Sequence, residues 1–192
     1  MKARLPGVRA AYIEPVAALR EAGHRKGVPA DELTDGDALD LQFKDGEFDF
    51  VTAFAILHHI REPRRAVAEM LRVAKQGIFI SDANNYAQGT AISRPIKQVI
   101  HALGLWKLFD FAKTRGKGYI ETEEDGISYS YSVFNDYPYL RERCGRVHVI
   151  NIANITRMNK GAIHDAKGIN PYRNASTVAL LAIKEPWATV ED

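Results

Sequence analysis

The stretch from Gly36 to Asp82 constrains this chain more than any other. After the Asp45-Gly46 turn, Phe48–Phe54 (FDFVTAF) is a seven-residue run of strand-favouring apolar residues. From Glu62 the period changes to that of a helix. Pro63 suits the first turn, Val67, Met70, Leu71 and Ala74 share one face, and Gly77 is available as a C-terminal cap. Ile78–Ser81 then reads as a second strand. Strands alternating with helices of this length predict a parallel sheet covered by helices on both faces.

The flanking segments extend that α/β pattern. Val8–Ile13 reads as a strand ending at Glu14-Pro15, followed by a helix carrying Val16, Leu19 and Ala22 up to Gly23 or Gly27. Asp31–Asp37 holds a very short strand. Past Asn84-Asn85, residues Ile92, Ile96, Val99, Ile100 and Leu103 predict a long amphipathic helix. The apolar-rich LGLWKLFDF and a turn-rich stretch from Arg115 to Asp125 follow it. We read residues 86–140 as a cap inserted in a single domain of 192 residues, before two last strands, Val147–Ile155 and Thr177–Ile183.

Composition excludes several classes of function. Lys and Arg number 26 against 24 Asp and Glu, a formal charge of +2, so no global field points to nucleic acid. Cys144 is the single cysteine, which fits a reducing compartment and excludes an internal disulfide. The N-terminus lacks an apolar signal-peptide core, and the longest apolar stretch, Phe48–Ile60, is too short and too interrupted to span a bilayer. A cytoplasmic protein is expected, with no stable membrane association.

The residues most suited to chemistry are His58 and His59, since a neutral imidazole can act as a general base. A packing or loop-anchoring role is the plain alternative. Their adjacency is not a metal-ligand spacing, and no Cys/His cluster surrounds them, so no metal is expected. Tyr129 and Tyr131 in GISYSYSVF suit the wall of an acceptor pocket, and their alternation equally suits a half-buried strand.

The segment GDALDLQFKDGEFDFVTAFAILHHIREPRRAVAEMLRVAKQGIFISD closely resembles the middle of the type 11 group of class I S-adenosylmethionine-dependent methyltransferases. There an acidic motif, a turn, a strand, a histidine-containing loop, a helix and a strand follow in this order. The resemblance implies a Rossmann-like sheet, S-adenosylmethionine as cofactor and methyl transfer to a small-molecule acceptor. It also implies roles for single residues. Glu14 matches the carboxylate that accepts the ribose hydroxyls, and Asp37 matches the acceptor of the adenine amino group, with the Ala38 amide facing a ring nitrogen. Ala53 and Phe54 fall where the fourth strand of the family ends, beside the cofactor cleft.

Two departures stand beside these matches. The family opens on a strand and a GxGxG turn, where backbone approaches the cofactor without side-chain interference; nothing in this sequence matches it. The family's Pro-Gly-Gly turn is replaced by the shorter KQGI at Lys75–Ile78. Without its central first strand, the family's sheet has two unpaired inner edges. The second and fourth strands then pair directly, a partner chain or dimer fills the gap, or the chain is part of a longer protein, which is the reading favoured here. Three functions follow: a methyltransferase or the remainder of one, an inactive binding or regulatory subunit, or an interfacial protein whose basic, apolar Ile92–Phe111 stretch meets a membrane. For that stretch, packing as a cap on its own domain is the stronger expectation.

Overall fold

A computed structural model describes residues 7–85, 92–123, 125–152, 163–165 and 177–184. The chain divides into two compact units, Met1–Phe43 and Lys44–Asp192.

In the first unit, β1 (Tyr12–Ile13) pairs in parallel with β2 (Leu33–Thr34), and α1 (Ala17–Arg25) connects them. The expected Val8–Ile13 strand is thus reduced to its last two residues. His24 and Arg25 in the last turn of α1 complement the negative end of the helix dipole, and Gly27 (φ 89°) takes the left-handed conformation just beyond it. The helix buries no residue, and Val8, Tyr12, Val16 and Leu19 are exposed. Leu41 is the one buried apolar residue among those described in this unit.

The second unit is built on a five-stranded sheet. Its strands are β3 (Phe48–Phe54), β4 (Ala74–Ala83), β7 (Arg146–Asn151), β8 (Ile163–Asp165) and β9 (Thr177–Ile183), in the order β3-β4-β9-β7-β8. Only β3 and β4 run parallel; β9 lies antiparallel to both β4 and β7, so the sheet is mixed, where an all-parallel sheet was expected. The central strand β9 buries Val178, Ala179 and Leu180 in succession. Because neighbouring strand residues point to opposite faces, the sheet is covered on both sides. Helix α2 (Pro63–Val73), with Pro63 in its first turn, buries Ala66, Val67, Met70 and Leu71 against β3 and β4. On β7 and β9 packs α5 (Tyr137–Arg143), which the sequence reading left inside the cap.

The remaining elements are α3 (Ser93–Ala102), α4 (Trp106–Lys113) and a hairpin of β5 (Ile120–Thr122) and β6 (Gly126–Ser128). The amphipathic helix expected over Ile92 to Leu103 is α3, and it ends before Gly104 (φ 70°). In this stretch Ile92, Ile96, Val99, Leu103, Leu105, Leu108 and Phe111 are exposed, while Trp106 Nε1 reaches Ser130 Oγ (3.2 Å). Residues 86–91 and 124 of the expected cap, and residues 153–155 of the expected strand Val147–Ile155, lie outside the described residues.

The segment Lys75–Ile78 contains no turn. Helix α2 ends at Val73, the chain turns extended at Ala74, and β4 begins at once. Gly77 is accordingly not a helix cap; it lies inside β4, where its absent side chain matters. A Cβ there would stand 2.4 Å from the Ala182 carbonyl oxygen and 3.1 Å from the Phe50 ring. The neighbouring β9 backbone, rather than a turn, accounts for this glycine. At the other side of the sheet, β3 has no second partner among the described strands, and Phe50 and Phe54 on it are exposed.

These contacts predict that Gly77→Ala, conservative in most strands, destabilises the protein by roughly 1–3 kcal/mol through overpacking. Urea denaturation monitored by circular dichroism measures it, and a cost no larger than for an exposed strand position would show that β4 and β9 are not paired as described.

Candidate active site

The polar site of the second unit forms where β3 and β4 both end, the carboxyl end of the parallel pair. Strand β4 finishes with Ser81 and Asp82, and Asp82 is 1% exposed. Its carboxylate accepts four hydrogen bonds. Oδ2 takes the backbone N–H of Leu57 (2.9 Å) and His58 (3.3 Å); Oδ1 takes His58 Nδ1 (2.6 Å) and the N–H of Ala83 (2.6 Å). One buried carboxylate thereby holds both the backbone and the ring of the histidine turn, a 3₁₀ turn spanning Leu57–His59. The chain enters that turn through Ala55, whose φ of 50° is unusual for a residue with a side chain and whose N–H donates to Ser81 O (2.7 Å).

The segment after the hairpin closes over the same turn. Tyr129 N–H donates to His58 O (2.7 Å), and His59 Nδ1 meets Ile127 O (2.8 Å). Ser132 Oγ donates to Asn84 Oδ1 (3.1 Å), both residues being fully buried, while Ser130 Oγ accepts from Asn85 Nδ2 and Trp106 Nε1 (3.2 Å each). With both Nδ1 atoms facing oxygen acceptors, each carries its ring's proton, and each Nε2 is left with its lone pair when the ring is neutral. Both Nε2 atoms face Asp125 at the hairpin tip: His58 Nε2 lies 3.8 Å from Oδ2, and His59 Nε2 lies 3.6 Å from Oδ1. The His58 pKa is raised above its ordinary 6.5, chiefly by the hydrogen bond with Asp82; burial opposes this, and the charges of Asp82 and Asp125 add to it.

The other residues singled out in the sequence fall as follows. Glu14 Oε1 accepts the N–H of Val16 (3.0 Å) at the entry to α1. Asp37 Oδ1 accepts the N–H of Leu39 (2.8 Å) in a tight turn, next to Ala38. Each carboxylate thus performs the local task that its position suggests and keeps a second oxygen with no partner among the described residues. Ala53 is buried at the end of β3, whereas Phe54 is 63% exposed, its ring 5.5 Å from that of Phe79. Phe54 is not the core residue that an aromatic at a strand end usually is. Tyr129 is half-buried against Tyr119. Tyr131 is 3% exposed and its hydroxyl donates to Asp136 Oδ2 (2.7 Å), so it is a core residue offering no free hydroxyl to a ligand. Burial, reinforced by Asp136, pushes its phenol well above the usual range. Sequence reading did not single out Asp82 or Asp125; an aspartate closing an apolar strand, as in FISD, was the signal for the first.

A mixed α/β sheet with its polar site at the carboxyl ends of a parallel pair is the architecture of Rossmann-like enzymes. Residues 6–81 match the family described as "Methyltransferase domain". Over 102 residues the chain is 35% identical to the chloroplastic 2-phytyl-1,4-beta-naphthoquinone methyltransferase of Arabidopsis thaliana, covering 48% of this chain and 39% of that one. It is 34% identical over 107 residues to the phosphatidylethanolamine N-methyltransferase of Cereibacter sphaeroides, covering 53% and 52%. The chain therefore spans about half the length of these relatives or less. Among solved structures, a Thermotoga maritima SAM-dependent methyltransferase, described as a possible histamine N-methyltransferase, superposes with a TM-score of 0.57 at 16% identity over 90% of this chain and 72% of the other. An Archaeoglobus fulgidus SAM-dependent methyltransferase gives 0.53 at 10% identity, over 93% and 77%. Residues 6–81 thus resemble a methyltransferase domain, and the fold is the Rossmann-like one of these SAM-dependent methyltransferases.

If Asp82 anchors the histidine turn, Asp82→Ala orphans the buried Leu57 N–H and destabilises the fold by roughly 1–3 kcal/mol. Asp82→Asn, which keeps an acceptor oxygen, costs less. Urea denaturation of the two variants orders them; equal costs would mean that these bonds do not anchor the turn.

Proposed function

We propose that this chain binds S-adenosylmethionine and takes part in methyl transfer to a small-molecule acceptor, with His58 accepting the acceptor's proton. The observation that carries the reading is the arrangement of His58: its Nδ1 is tied to buried Asp82, so its basic Nε2 is the free ring nitrogen, on the side of Asp125 at the carboxyl end of the parallel pair. The small-molecule acceptor is supported by the two relatives, whose names specify a naphthoquinone and a phospholipid.

The residues that the resemblance assigns to the cofactor are Glu14, Asp37, Ala38, Ala53 and Phe54. They suit it on their own geometry. Glu14 and Asp37 each have one carboxylate oxygen engaged locally and one to offer, which matches ribose hydroxyls and an exocyclic amine, both donors. The exposed Phe54 ring offers an apolar surface. When bound, the cofactor supplies an electrophilic methyl group. The chain's own contribution is then alignment and proton removal. His58 Nε2 takes the proton, Asp82 stabilises the imidazolium that results, and the raised pKa strengthens the base. Beside it, Tyr129 and His59 present a partly polar wall to the acceptor; Tyr131 contributes from the core, by holding the segment that carries Tyr129.

Calorimetric titration with S-adenosylhomocysteine tests this directly. The chain is expected to bind it, and Glu14→Ala and Asp37→Ala to weaken binding about 10- to 100-fold each, the value of a hydrogen bond to a charged group. Absence of binding to the folded chain, or binding that both variants retain, overturns the cofactor assignment.

A further inference from the structure

His58, His59 and Asp125 make a constellation that methyl transfer does not explain. His58 Nε2, His59 Nε2 and a carboxylate oxygen of Asp125 all lie within 4.8 Å of one another, and the two imidazole rings stand 4.0 Å apart, tilted by 43°. Both Nδ1 protons are engaged elsewhere, with Asp82 and with Ile127 O. When the rings are neutral, the three atoms that converge are therefore all acceptors. Two lone pairs and a negative charge brought this close are satisfied by a positive charge between them, either a proton on one Nε2 or a metal ion.

We infer that His58, His59 and Asp125 form a divalent transition-metal site, with two imidazole nitrogens and one carboxylate as ligands and the fourth position open to water or a ligand oxygen. The geometry fits in three respects. First, nitrogen and oxygen ligands at ~2.0–2.2 Å from zinc, at tetrahedral angles, stand roughly 3.3 Å apart; the imidazoles lie 3.6 and 3.8 Å from the two Asp125 oxygens, and the three ligand atoms lie within 4.8 Å of one another, so modest side-chain adjustment brings them onto one ion. Second, each histidine has the supporting partner typical of metal-bound imidazole, a buried carboxylate for His58 and a backbone carbonyl for His59, which fixes the ring and leaves Nε2 to the ion. Third, the histidines are rooted in the sheet by Asp82 while Asp125 sits exposed at a hairpin tip, so the one ligand that must adjust is the one free to do so. Two imidazoles and one carboxylate select zinc or another first-row metal over magnesium or calcium, which take oxygen.

Metal binding here needs no cofactor, and its occupancy alternates with the proton-accepting role, since ion and proton compete for the same lone pair on His58 Nε2. The test is calorimetric titration of the full chain with zinc chloride, without cofactor, beside magnesium. One zinc per chain is expected, with no measurable magnesium binding. His59→Gln and Asp125→Asn, checked by circular dichroism, should each weaken zinc at least tenfold. In the unsubstituted chain, zinc should shift the ring nitrogen resonances of His58 and His59 at Nε2. Failure of the folded chain to take up zinc overturns the inference. So does uptake that both variants retain, or zinc-induced shifts confined to other histidines.

Discussion

The carboxylate of Asp82 is the constraint on which the rest of the second unit's chemistry depends. A buried charge is tolerated only when its oxygens are satisfied, and Asp82 is satisfied by donors drawn almost entirely from the histidine turn. Sheet and site are thereby one structure. Pairing of β4 with β3 and β9 fixes where Asp82 stands, Asp82 fixes the turn at Leu57–His59, and the turn fixes the hairpin and the Tyr129–Asp136 segment laid over it. The strained backbone of Ala55 is the local consequence, a residue held left-handed because the atoms on either side of it are pinned.

That dependence gives the site a division of labour. Groups needing precision, His58 and its proton, rest on the sheet through a side chain at the end of a central strand. Asp125 and Tyr129, which lie against the histidine turn, come from the hairpin and the segment after it. In the first unit the carboxylates proposed for the cofactor are positioned by local structure, Glu14 at a helix entry and Asp37 in a turn. The plain and the functional readings of these two residues are therefore compatible: one oxygen fixes the side chain, and the other is available.

Where periodicity was strong, the sequence was legible. Phe48–Phe54 and Thr177–Ile183 form strands with the expected bounds, and α2 begins at Pro63, because burial on a sheet imposes a pattern that few residues can fake. The strand Ile78–Ser81 was read too short, and Gly77 was misread as a cap, since a glycine that clears a neighbouring backbone looks the same in sequence as one that ends a helix. The antiparallel placement of β9 follows from sheet order, which local periodicity does not carry. His58 and His59 were visible as residues, but imidazole chemistry alone suggested only a proton to accept or a loop to anchor. Their third companion, Asp125, comes from a turn-rich stretch with no periodicity of its own. The ligand set exists only once the hairpin folds back on the histidine turn.

The sequence holds no glycine-rich turn of the kind the resemblance implies, and β3 has no second partner among the described strands; both bear on how much of a methyltransferase-like sheet this chain forms. The organisation of the histidine turn by Asp82 concerns what it does, and one measurement bears on it most directly. Nitrogen-15 spectra of the histidine ring of His58, followed across pH, report both the tautomer and the pKa. The structure predicts a neutral ring protonated at Nδ1 and a pKa above the ordinary 6.5, lowered when Asp82 becomes asparagine. A ring protonated at Nε2, or a pKa at or below 6.5 that does not respond to that substitution, would contradict the account at its centre.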